Sequence, residues 1–306
     1  MVKSTKHRGV IVPMATPFTS SGVLDQPAAE RLVAHLATND IGVFVLGTTG
    51  EAASIAPACR ARLIEIAVKT AAGRVPVYAG LSDNCVASSI EAGRNWLRLG
   101  VDAVVATLPS YYLLNPAEMQ ACYELLAREI KGAFILYNIP STTRMSIPLD
   151  VVQRLSEIPN IVGFKDSENV PGRLEKTAEL FSKNPNFSIF MGAAVLSAQA
   201  LRAGFDGLVP SSGNIAPALW RDLFNASLES RWEQAEELQR RADAVARVFQ
   251  RDRSLGQSLA ALKVCLETLG LCGPAVLPPL LPLDEAGRAT VQRELAALDL
   301  APVSAR

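Results

Sequence analysis

Eight short runs of apolar and β-branched residues recur along the first 211 residues of the chain, with segments of mixed polarity between them. The runs cover residues 9–18, 42–49, 75–81, 102–109, 133–140, 161–168, 187–193 and 204–211. Each run is too apolar to expose one face to water, which predicts the strands of a parallel sheet that is covered on both sides. Their spacing of roughly 20 to 30 residues matches the length of one strand and one helix.

The segments between the runs repeat their apolar positions with the helical period of about 3.6 residues. Residues 58–72 and 117–130 show this pattern most clearly. Eight units of one strand and one helix predict closure into a (β/α)8 TIM barrel, an α/β fold of about 250 residues. A doubly wound open sheet is the alternative that the same pattern allows.

After residue 214 the strand pattern ends and only helical patterns follow, over residues 216–227, 231–250, 254–269 and 284–298. The first of these would be the eighth helix of the barrel. The other three would form a C-terminal helical extension. The prediction is therefore a barrel over residues 1–228 and a helical extension over residues 229–306 that packs on it.

Composition and charge argue against several classes of protein. The chain has 30 basic and 30 acidic residues, and this balance does not indicate a nucleic acid or a membrane as partner. No stretch approaches the ~20 apolar residues of a transmembrane helix, and no signal-peptide pattern begins the chain. The five dispersed cysteines are typical of a cytoplasmic protein without zinc. With His7 and His35 the only histidines, we do not expect a Ser-His or Cys-His nucleophile.

Lys165 is the lysine of most interest, because it lies inside one of the apolar runs, Ile161-Val162-Gly163-Phe164-Lys165-Asp166. Burial at the rim of a pocket would lower the pKa of its amine and leave a neutral nucleophile for a carbonyl carbon. Taken alone, a lysine in a strand is more often an ion-paired or snorkelling residue. The choice between the two depends on which residues share its end of the barrel.

Other polar groups follow the predicted strands, at the end of the barrel where functional groups gather. The turn Gly47-Thr48-Thr49-Gly50 offers N–H groups and two hydroxyls that suit a carboxylate, although an ordinary capping turn has the same composition. Tyr137 ends the fifth strand, where it is either a core aromatic or a proton carrier beside an amine. Together these residues favour a chemical role for Lys165.

Tyr111 and Tyr112 are consecutive, so in an extended segment their side chains point in opposite directions. One of them must then leave the core of its own barrel. It is either an exposed loop residue or a residue that fills the site of a neighbouring subunit. The second interpretation implies an oligomer.

Three motifs occur in the order and spacing of one known family: Gly47-Thr48-Thr49-Gly50-Glu51, Tyr137-Asn138-Ile139-Pro140 and Gly163-Phe164-Lys165-Asp166. Over roughly residues 8 to 300 the chain resembles the dihydrodipicolinate synthase / N-acetylneuraminate lyase family. The resemblance implies a TIM barrel with a helical C-terminal extension, a homotetramer built as a dimer of dimers, and class I chemistry. In that chemistry a lysine forms a Schiff base with pyruvate or another 2-oxo acid, without a metal or an organic cofactor.

The resemblance also implies roles for single residues of this chain. Lys165 resembles the imine-forming lysine, Tyr137 the acid–base tyrosine and Thr48 the threonine that relays protons. Thr49, together with the backbone of the turn that begins at Gly47, resembles the site that binds the carboxylate of the 2-oxo acid.

Four further positions are implied in the same way. Tyr111 most resembles the tyrosine that is donated across the dimer interface, and Tyr112 is the alternative. Gly192 and Val209 resemble positions that line the pocket near the lysine.

The chain departs from the synthases of this family two residues after Pro140. Synthases carry an arginine there that holds the carboxylate of the aldehyde substrate, whereas this chain has Thr142, with Arg144 two residues further on. An arginine–carboxylate contact depends on placement to within about an ångström, so Arg144 is not automatically a replacement. The loop after the third strand also resembles that of the sugar-acid aldolases.

We therefore predict a class I lyase that joins or cleaves pyruvate and an aldehyde, with a 2-oxo-3-deoxy sugar acid as its substrate. The first alternative is 4-hydroxy-tetrahydrodipicolinate (dihydrodipicolinate) synthase, which uses pyruvate and aspartate semialdehyde, with Arg144 or a residue of a neighbouring loop binding the semialdehyde. A 2-oxo-3-deoxy acid dehydratase is the second, since the same imine supports loss of water. A non-catalytic 2-oxo acid-binding protein is the third, although a binder has no need of the amine of Lys165.

Overall fold

The computed structural model of the chain describes residues 6–298 and 300. Within these residues, eight parallel strands pair in sequence order and close into one barrel, because β8 pairs again with β1. The strands are β1 Gly9–Pro13, β2 Gly42–Val45, β3 Val77–Leu81, β4 Ala103–Thr107, β5 Phe134–Asn138, β6 Ile161–Asp166, β7 Ser188–Met191 and β8 Gly207–Leu208. The TIM barrel that the apolar runs predict is confirmed.

Twelve α-helices occur within the same described residues, and none of them is both long and apolar enough to cross a membrane. They are α1 Gln26–Ala37, α2 Pro57–Ala71, α3 Val86–Arg98, α4 Pro116–Glu129, α5 Pro140–Thr143, α6 Leu149–Leu155, α7 Arg173–Phe181, α8 Ser197–Ala203, α9 Pro217–Leu228, α10 Trp232–Gln250, α11 Leu255–Thr268 and α12 Glu285–Ala296. Helices α10 to α12 form the predicted C-terminal helical extension. The domain boundary at residue 228 stays a prediction.

The last strand differs most from the run that predicts it. The run covers residues 204–211, but β8 contains only Gly207 and Leu208. Gly204 ends α8 in the left-handed region with a φ of 100°, and Ser211–Asn214 already form a 3₁₀ turn. The two ends of the run therefore make the connections to their neighbours, and only its centre pairs with β7 and β1.

The strands bury apolar side chains on both of their faces, as the runs predict. One layer lies between the strands and the helices and includes Val12, Val43 and Leu136. The other lies inside the barrel and is rich in aromatic side chains, among them Phe44, Tyr137 and Phe190. Because successive side chains of a strand point to opposite faces, a residue that shares the parity of Tyr137 on β5 also faces the interior.

The C-terminal extension packs against the loops that follow the barrel strands. Gln239 of α10 accepts a hydrogen bond from the N–H of Ala198 and donates one to the carbonyl oxygen of Ala194, each at 3.0 Å. Gln250 at the end of α10 donates to Oγ of Ser211 at 3.0 Å. These contacts hold the extension over the end of the barrel at which the strands finish.

A buried ion pair joins α11 to the turn after β2. Nζ of Lys263 lies 2.8 Å from Oε1 of Glu51, and the two side chains are 1% and 0% exposed. Lys263 also donates to the carbonyl oxygens of Thr16 and Ala275, and Oε2 of Glu51 accepts a hydrogen bond from the N–H of Leu277. Both charges thus have the partners that make burial tolerable, provided that the extension stays in this position.

Replacing Lys263 with methionine should destabilise the protein strongly, because it leaves the Glu51 carboxylate buried without a cation. We expect the free energy of unfolding in urea to fall by about 3–5 kcal/mol. The double variant Glu51→Gln/Lys263→Met should recover most of this loss. The control is Lys176→Met, which removes an exposed partner of Glu179 and should cost less than about 1 kcal/mol. Equal losses in the two single variants would contradict this role of the ion pair.

Candidate active site

The site predicted from the sequence lies at the carboxyl ends of the barrel strands. Tyr137 on β5 pairs in register with Lys165 on β6, and Lys165 pairs with Phe190 on β7. Residues paired in register on parallel strands point to the same face of a sheet. Lys165 and Tyr137 therefore both face the interior of the barrel, and the two residues predicted to act together are direct neighbours.

Lys165 is buried at 5% exposure and lies among aromatic rings. Its Nζ is 3.6 Å from the centre of the Tyr137 ring and 5.2 Å from the centre of the Phe44 ring. Burial lowers the pKa of its amine, and the hydroxyl of Tyr137 opposes this by favouring the ammonium form. Burial has the larger effect, so the surroundings favour the neutral amine more than water does.

Tyr137 is 4% exposed, and its hydroxyl has three side-chain partners. Burial alone would raise the pKa of this hydroxyl, but the charge of Lys165 and hydrogen bonding with Lys165, Thr48 and Ser167 together lower it. The ammonium of Lys165 and the phenolate of Tyr137 stabilise each other, whereas burial favours the pair in which both are neutral. A proton can therefore pass between groups at this position without a large change in free energy.

Ser167 has no role in the prediction from the sequence, yet its side chain is a hydrogen-bond partner of the Tyr137 hydroxyl. It lies two residues after Lys165, just beyond the end of β6. The alternation of side chains along a strand places residues two apart on one face, and this was the signal that could have found it. Phe44 on β2 is a second such residue, and its ring forms part of the wall around the amine.

The turn from Gly47 to Gly50 follows β2 and closes on itself through its backbone. The N–H of Gly50 donates to the carbonyl oxygen of Gly47 at 3.0 Å, and the N–H of Glu51 donates to that of Thr48 at 3.1 Å. The backbone N–H groups of Thr48 and Thr49 make no hydrogen bond to any other described residue. These two N–H groups, with the half-buried hydroxyls beside them, are the donors that this turn offers to an anion.

Gly192, which follows β7, has no room for a side chain. A Cβ at this position would lie 2.1 Å from Oγ of Ser167 and 3.1 Å from Cε of Lys165. Val209 follows β8, is 6% exposed and packs in the inner apolar cluster with Tyr137. The structure therefore brings both positions to the pocket around the lysine, and their roles there stay predictions.

A buried polar network supports the strand ends from the outer side of the barrel. Asn138 donates to Oδ1 of Asp166 at 2.8 Å, and Nε of Arg173 lies 2.6 Å from Oδ2 of the same carboxylate. Asn138 and Asp166 directly follow Tyr137 and Lys165 in the chain. The network thus restrains the backbone of both residues, and the sequence alone gave no signal that Arg173 takes part.

Tyr111 and Tyr112 do not point in opposite directions, and that prediction is wrong. The chain bends at residues 110–112 instead of running extended, and the two rings pack edge to face with centres 5.1 Å apart. Both are exposed, at 73% and 72%, and neither lines the cavity of their own chain. Asn84 holds the segment, since its Oδ1 accepts hydrogen bonds from the N–H groups of Ser110 and Tyr111.

A cavity of about 450 Å³ opens beside Tyr137. The predicted site residues in its lining are Gly47, Thr48, Tyr137 and Thr142. Lys165, Thr49, Gly192 and Val209 are not among the lining residues, although the amine of Lys165 lies over the ring of Tyr137, which does line the cavity. Arg144 is exposed with a φ of 60°, donates to the carbonyl oxygen of Ser110 at 3.4 Å, and is also absent from the lining.

Comparison with known proteins gives one consistent result. The model of the Dihydrodipicolinate synthetase family matches residues 6–298. A 4-hydroxy-tetrahydrodipicolinate synthase from Phenylobacterium zucineum is 31% identical over 285 residues, which are 93% of this chain and 95% of the relative. The enzyme of the same name from Neisseria meningitidis is 31% identical over 292 residues, which are 95% of this chain and 98% of the relative.

Solved structures agree with these matches. The structure of dihydrodipicolinate synthase from Bacteroides thetaiotaomicron is similar with a TM-score of 0.89 and 30% identity, and the match covers 94% of this chain and 98% of that one. A prophage protein of the dihydrodipicolinic acid synthase family from E. coli K12, solved in complex with pyruvate, has a TM-score of 0.90 and 26% identity. This second match covers 96% of this chain and 99% of the other.

The burial of Lys165 predicts a stability that depends on pH. The amine is protonated more readily in the unfolded chain than in the folded protein, so the unfolded state binds more protons between the lowered pKa and about 10.4. Burial of this amine therefore lowers the free energy of unfolding. The loss is complete at pH values below the lowered pKa, and it disappears at pH values above the pKa of the amine in the unfolded chain. Lys165→Met removes this loss and should therefore raise the free energy of unfolding at pH 7.

Urea unfolding at pH 7 and pH 9.5 checks this prediction. The free energy of unfolding of Lys165→Met should exceed that of the unchanged protein by less at the higher pH. The control is Lys176→Met, which changes an exposed lysine and should show no such dependence. An advantage that is constant with pH, or a loss of stability at pH 7, would rule out a neutral buried amine.

Proposed function

The chain belongs to the Dihydrodipicolinate synthetase family, and from this premise we propose that it joins and cleaves pyruvate and an aldehyde through an imine on Lys165. It is a carbon–carbon lyase of the class I, pyruvate-dependent type. The observation that carries the proposal is the buried amine of Lys165 beside the hydroxyl of Tyr137, at the carboxyl ends of two adjacent strands. A lowered pKa makes the amine available as the neutral nucleophile that imine formation needs.

Lys165 attacks the carbonyl carbon of pyruvate, and loss of water leaves the imine. The imine withdraws electrons from the neighbouring methyl carbon, so a proton leaves that carbon and an enamine forms. The enamine carbon then bonds to the carbonyl carbon of the aldehyde, whose oxygen takes up a proton. Hydrolysis of the imine releases a 4-hydroxy-2-oxo acid and restores the amine, and cleavage is the reverse of these steps.

Tyr137 moves the protons in these steps, because its hydroxyl is a hydrogen-bond partner of the Lys165 amine and has a lowered pKa. Thr48 and Ser167 are the hydroxyls through which the proton passes on to other groups. The amine of Lys165 lies over the Tyr137 ring and Lys165 does not line the cavity, so its side chain must move towards the cavity to meet a substrate there.

The turn after β2 binds the carboxylate of pyruvate. Its support is the pair of unpaired N–H groups at Thr48 and Thr49, which are the donors that a carboxylate needs in a site from which water is excluded. Gly192, beside Lys165, and Val209, in the cluster that contains Tyr137, are the residues that contact the carbon atoms of pyruvate.

A homotetramer, built as a dimer of dimers, would complete the site. The exposed pair Tyr111 and Tyr112 supports this assembly, because two large aromatic side chains exposed at more than 70% are typical of a surface that another subunit covers. Tyr111 is the residue that enters the partner's site, since Asn84 fixes its backbone. The location is cytoplasmic, in keeping with five free cysteines.

Two aldehydes follow from the sequence and from the relatives. Thr142, in place of an arginine, supports a sugar acid, and the name of the relatives supports 4-hydroxy-tetrahydrodipicolinate synthase. The imine chemistry of Lys165 is the same for both. The reaction with pyruvate alone therefore tests the proposed function independently of the aldehyde.

Reduction with borohydride in the presence of pyruvate should attach the reduced adduct to Lys165, as found by mass spectrometry of a digest. Lys165→Met should give no adduct, and the exposed Lys176 in the same digest should remain unmodified. An adduct on another lysine, or none in the unchanged protein, would refute the imine.

Gly192→Ala should slow this trapping by roughly tenfold to a hundredfold, because the new Cβ would displace Ser167 and Lys165 from the geometry of reaction. The matched control is Gly273→Ala, whose Cβ would meet its nearest neighbour, the carbonyl oxygen of Phe18, at an ordinary 3.7 Å. Trapping rates that are the same in the two variants would show that Gly192 is not required for the site.

A further inference from the structure

The cavity beside Tyr137 has a wall that does not come from the barrel. Leu255 and Leu259 of α11 and Leu280 of the segment before α12 line it, together with Pro279 and Gly256. These residues belong to the C-terminal extension, which packs over the strand ends. A substrate group that extends from pyruvate into the cavity therefore meets apolar side chains of the extension.

The lining has almost no charge to offer such a group. Among the described residues that line the cavity, Glu51 is the only one with a carboxylate, and none is Lys, Arg or His. The carboxylate of Glu51 is already bound to Lys263 and to the N–H of Leu277. A charged substituent would lose its hydration here without gaining a partner of opposite charge.

The hydroxyl groups of the lining are partly used within the protein. Those of Thr142 and Thr143 donate to the carbonyl oxygen of Ile139 at 3.3 Å and 3.1 Å. The hydroxyls of Ser54, Ser82 and Thr107 also belong to the lining, and Ser82 is exposed at its rim. They can form single hydrogen bonds, but they cannot balance a charge.

We propose, on the basis of the imine chemistry in the proposed function, that the second substrate is an uncharged aldehyde with an apolar substituent, either aromatic or branched aliphatic, in place of the two polar aldehydes that the sequence and the names of the relatives support. Leu255, Leu259 and Leu280 select it, because they remove its apolar surface from water. In the condensation the enamine carbon bonds to the aldehyde carbon, the carbonyl π bond breaks, and its oxygen takes a proton. Water then hydrolyses the imine, so that pyruvate and the aldehyde combine into one 4-hydroxy-2-oxo acid without an oxidant or a reductant.

The specificity is measured as kcat/KM for condensation with pyruvate, with four aldehydes: benzaldehyde, isobutyraldehyde, glyceraldehyde and aspartate semialdehyde. Benzaldehyde or isobutyraldehyde should exceed both of the others by roughly tenfold or more, since a single apolar group is worth about that much in a fitting pocket. Glyceraldehyde or aspartate semialdehyde at an equal or higher kcat/KM would overturn the proposal. So would trapping of pyruvate on Lys165 with all four aldehydes inert.

Leu280→Lys tests the wall directly, because it adds a cation where the lining has none. It should lower the ratio of kcat/KM for benzaldehyde over aspartate semialdehyde by roughly tenfold or more. The matched control is Leu281→Lys, at the adjacent position, which is 79% exposed and does not line the cavity. Thermal melting checks that both variants are folded, and equal ratios in the two would overturn the assignment of Leu280.

The borohydride experiment separates the failure of this proposal from that of the proposed function. If pyruvate labels Lys165 and a charged or hydroxylated aldehyde is the preferred partner, only the substrate class is wrong. If pyruvate does not label Lys165, the imine itself is wrong, and the substrate class falls with it.

Discussion

The buried ion pair between Glu51 and Lys263 is the interaction on which the arrangement of the site depends. Glu51 follows the turn that offers the N–H groups of Thr48 and Thr49, and its own backbone has a φ of 57°. Lys263 lies on α11, so the pair connects the start of the site to the extension. A buried ion pair adds little net stability. Its two charges are balanced, however, only when α11 and the turn after β2 hold one position relative to each other. The ion pair therefore determines where the extension lies, and with it the composition of the cavity wall.

The interior of the barrel imposes the second constraint, because it is closely packed and rich in aromatic side chains. Phe44 and Tyr137 surround the amine of Lys165, and Gly192 leaves it just enough space. In water an amine and a phenol titrate near pH 10 and differ little. Here burial lowers the pKa of the Lys165 amine, and the charge of Lys165 together with hydrogen bonding lowers the pKa of the Tyr137 hydroxyl, so a proton can pass between the two neighbouring groups. Reversible bond making at a carbonyl carbon needs a nucleophile and a proton carrier that are matched in this way.

Most of the barrel could be predicted from the sequence, because a strand buried on both faces must be apolar along its whole length. The boundaries could not, since the same apolar runs continue into turns, as they do around β8. Lys165, Tyr137 and Thr48 could be singled out because each lies within or shortly after the carboxyl end of an apolar run. The partners of Asp166 and Glu51 could not, because Arg173 and Lys263 are brought to them only by folding. The bend at Tyr111 and Tyr112 could not be predicted either, because the alternation of side-chain directions applies only to an extended chain.

The second substrate is the part of the function that is hardest to predict from the sequence, because the residues that contact it are brought together only by folding. The barrel supplies the imine chemistry, and its residues stand in short motifs that a sequence displays. The extension supplies Leu255, Leu259 and Leu280, which lie far along the chain from Lys165 and have the composition of any buried helix or loop. Arg144 illustrates the point, because its place in the sequence suggests a substrate carboxylate, whereas its guanidinium donates to the carbonyl oxygen of Ser110, a lining residue, and Arg144 itself does not line the cavity. A cavity without a free charge favours an uncharged aldehyde, even when every motif of the barrel is shared with enzymes that bind a charged one.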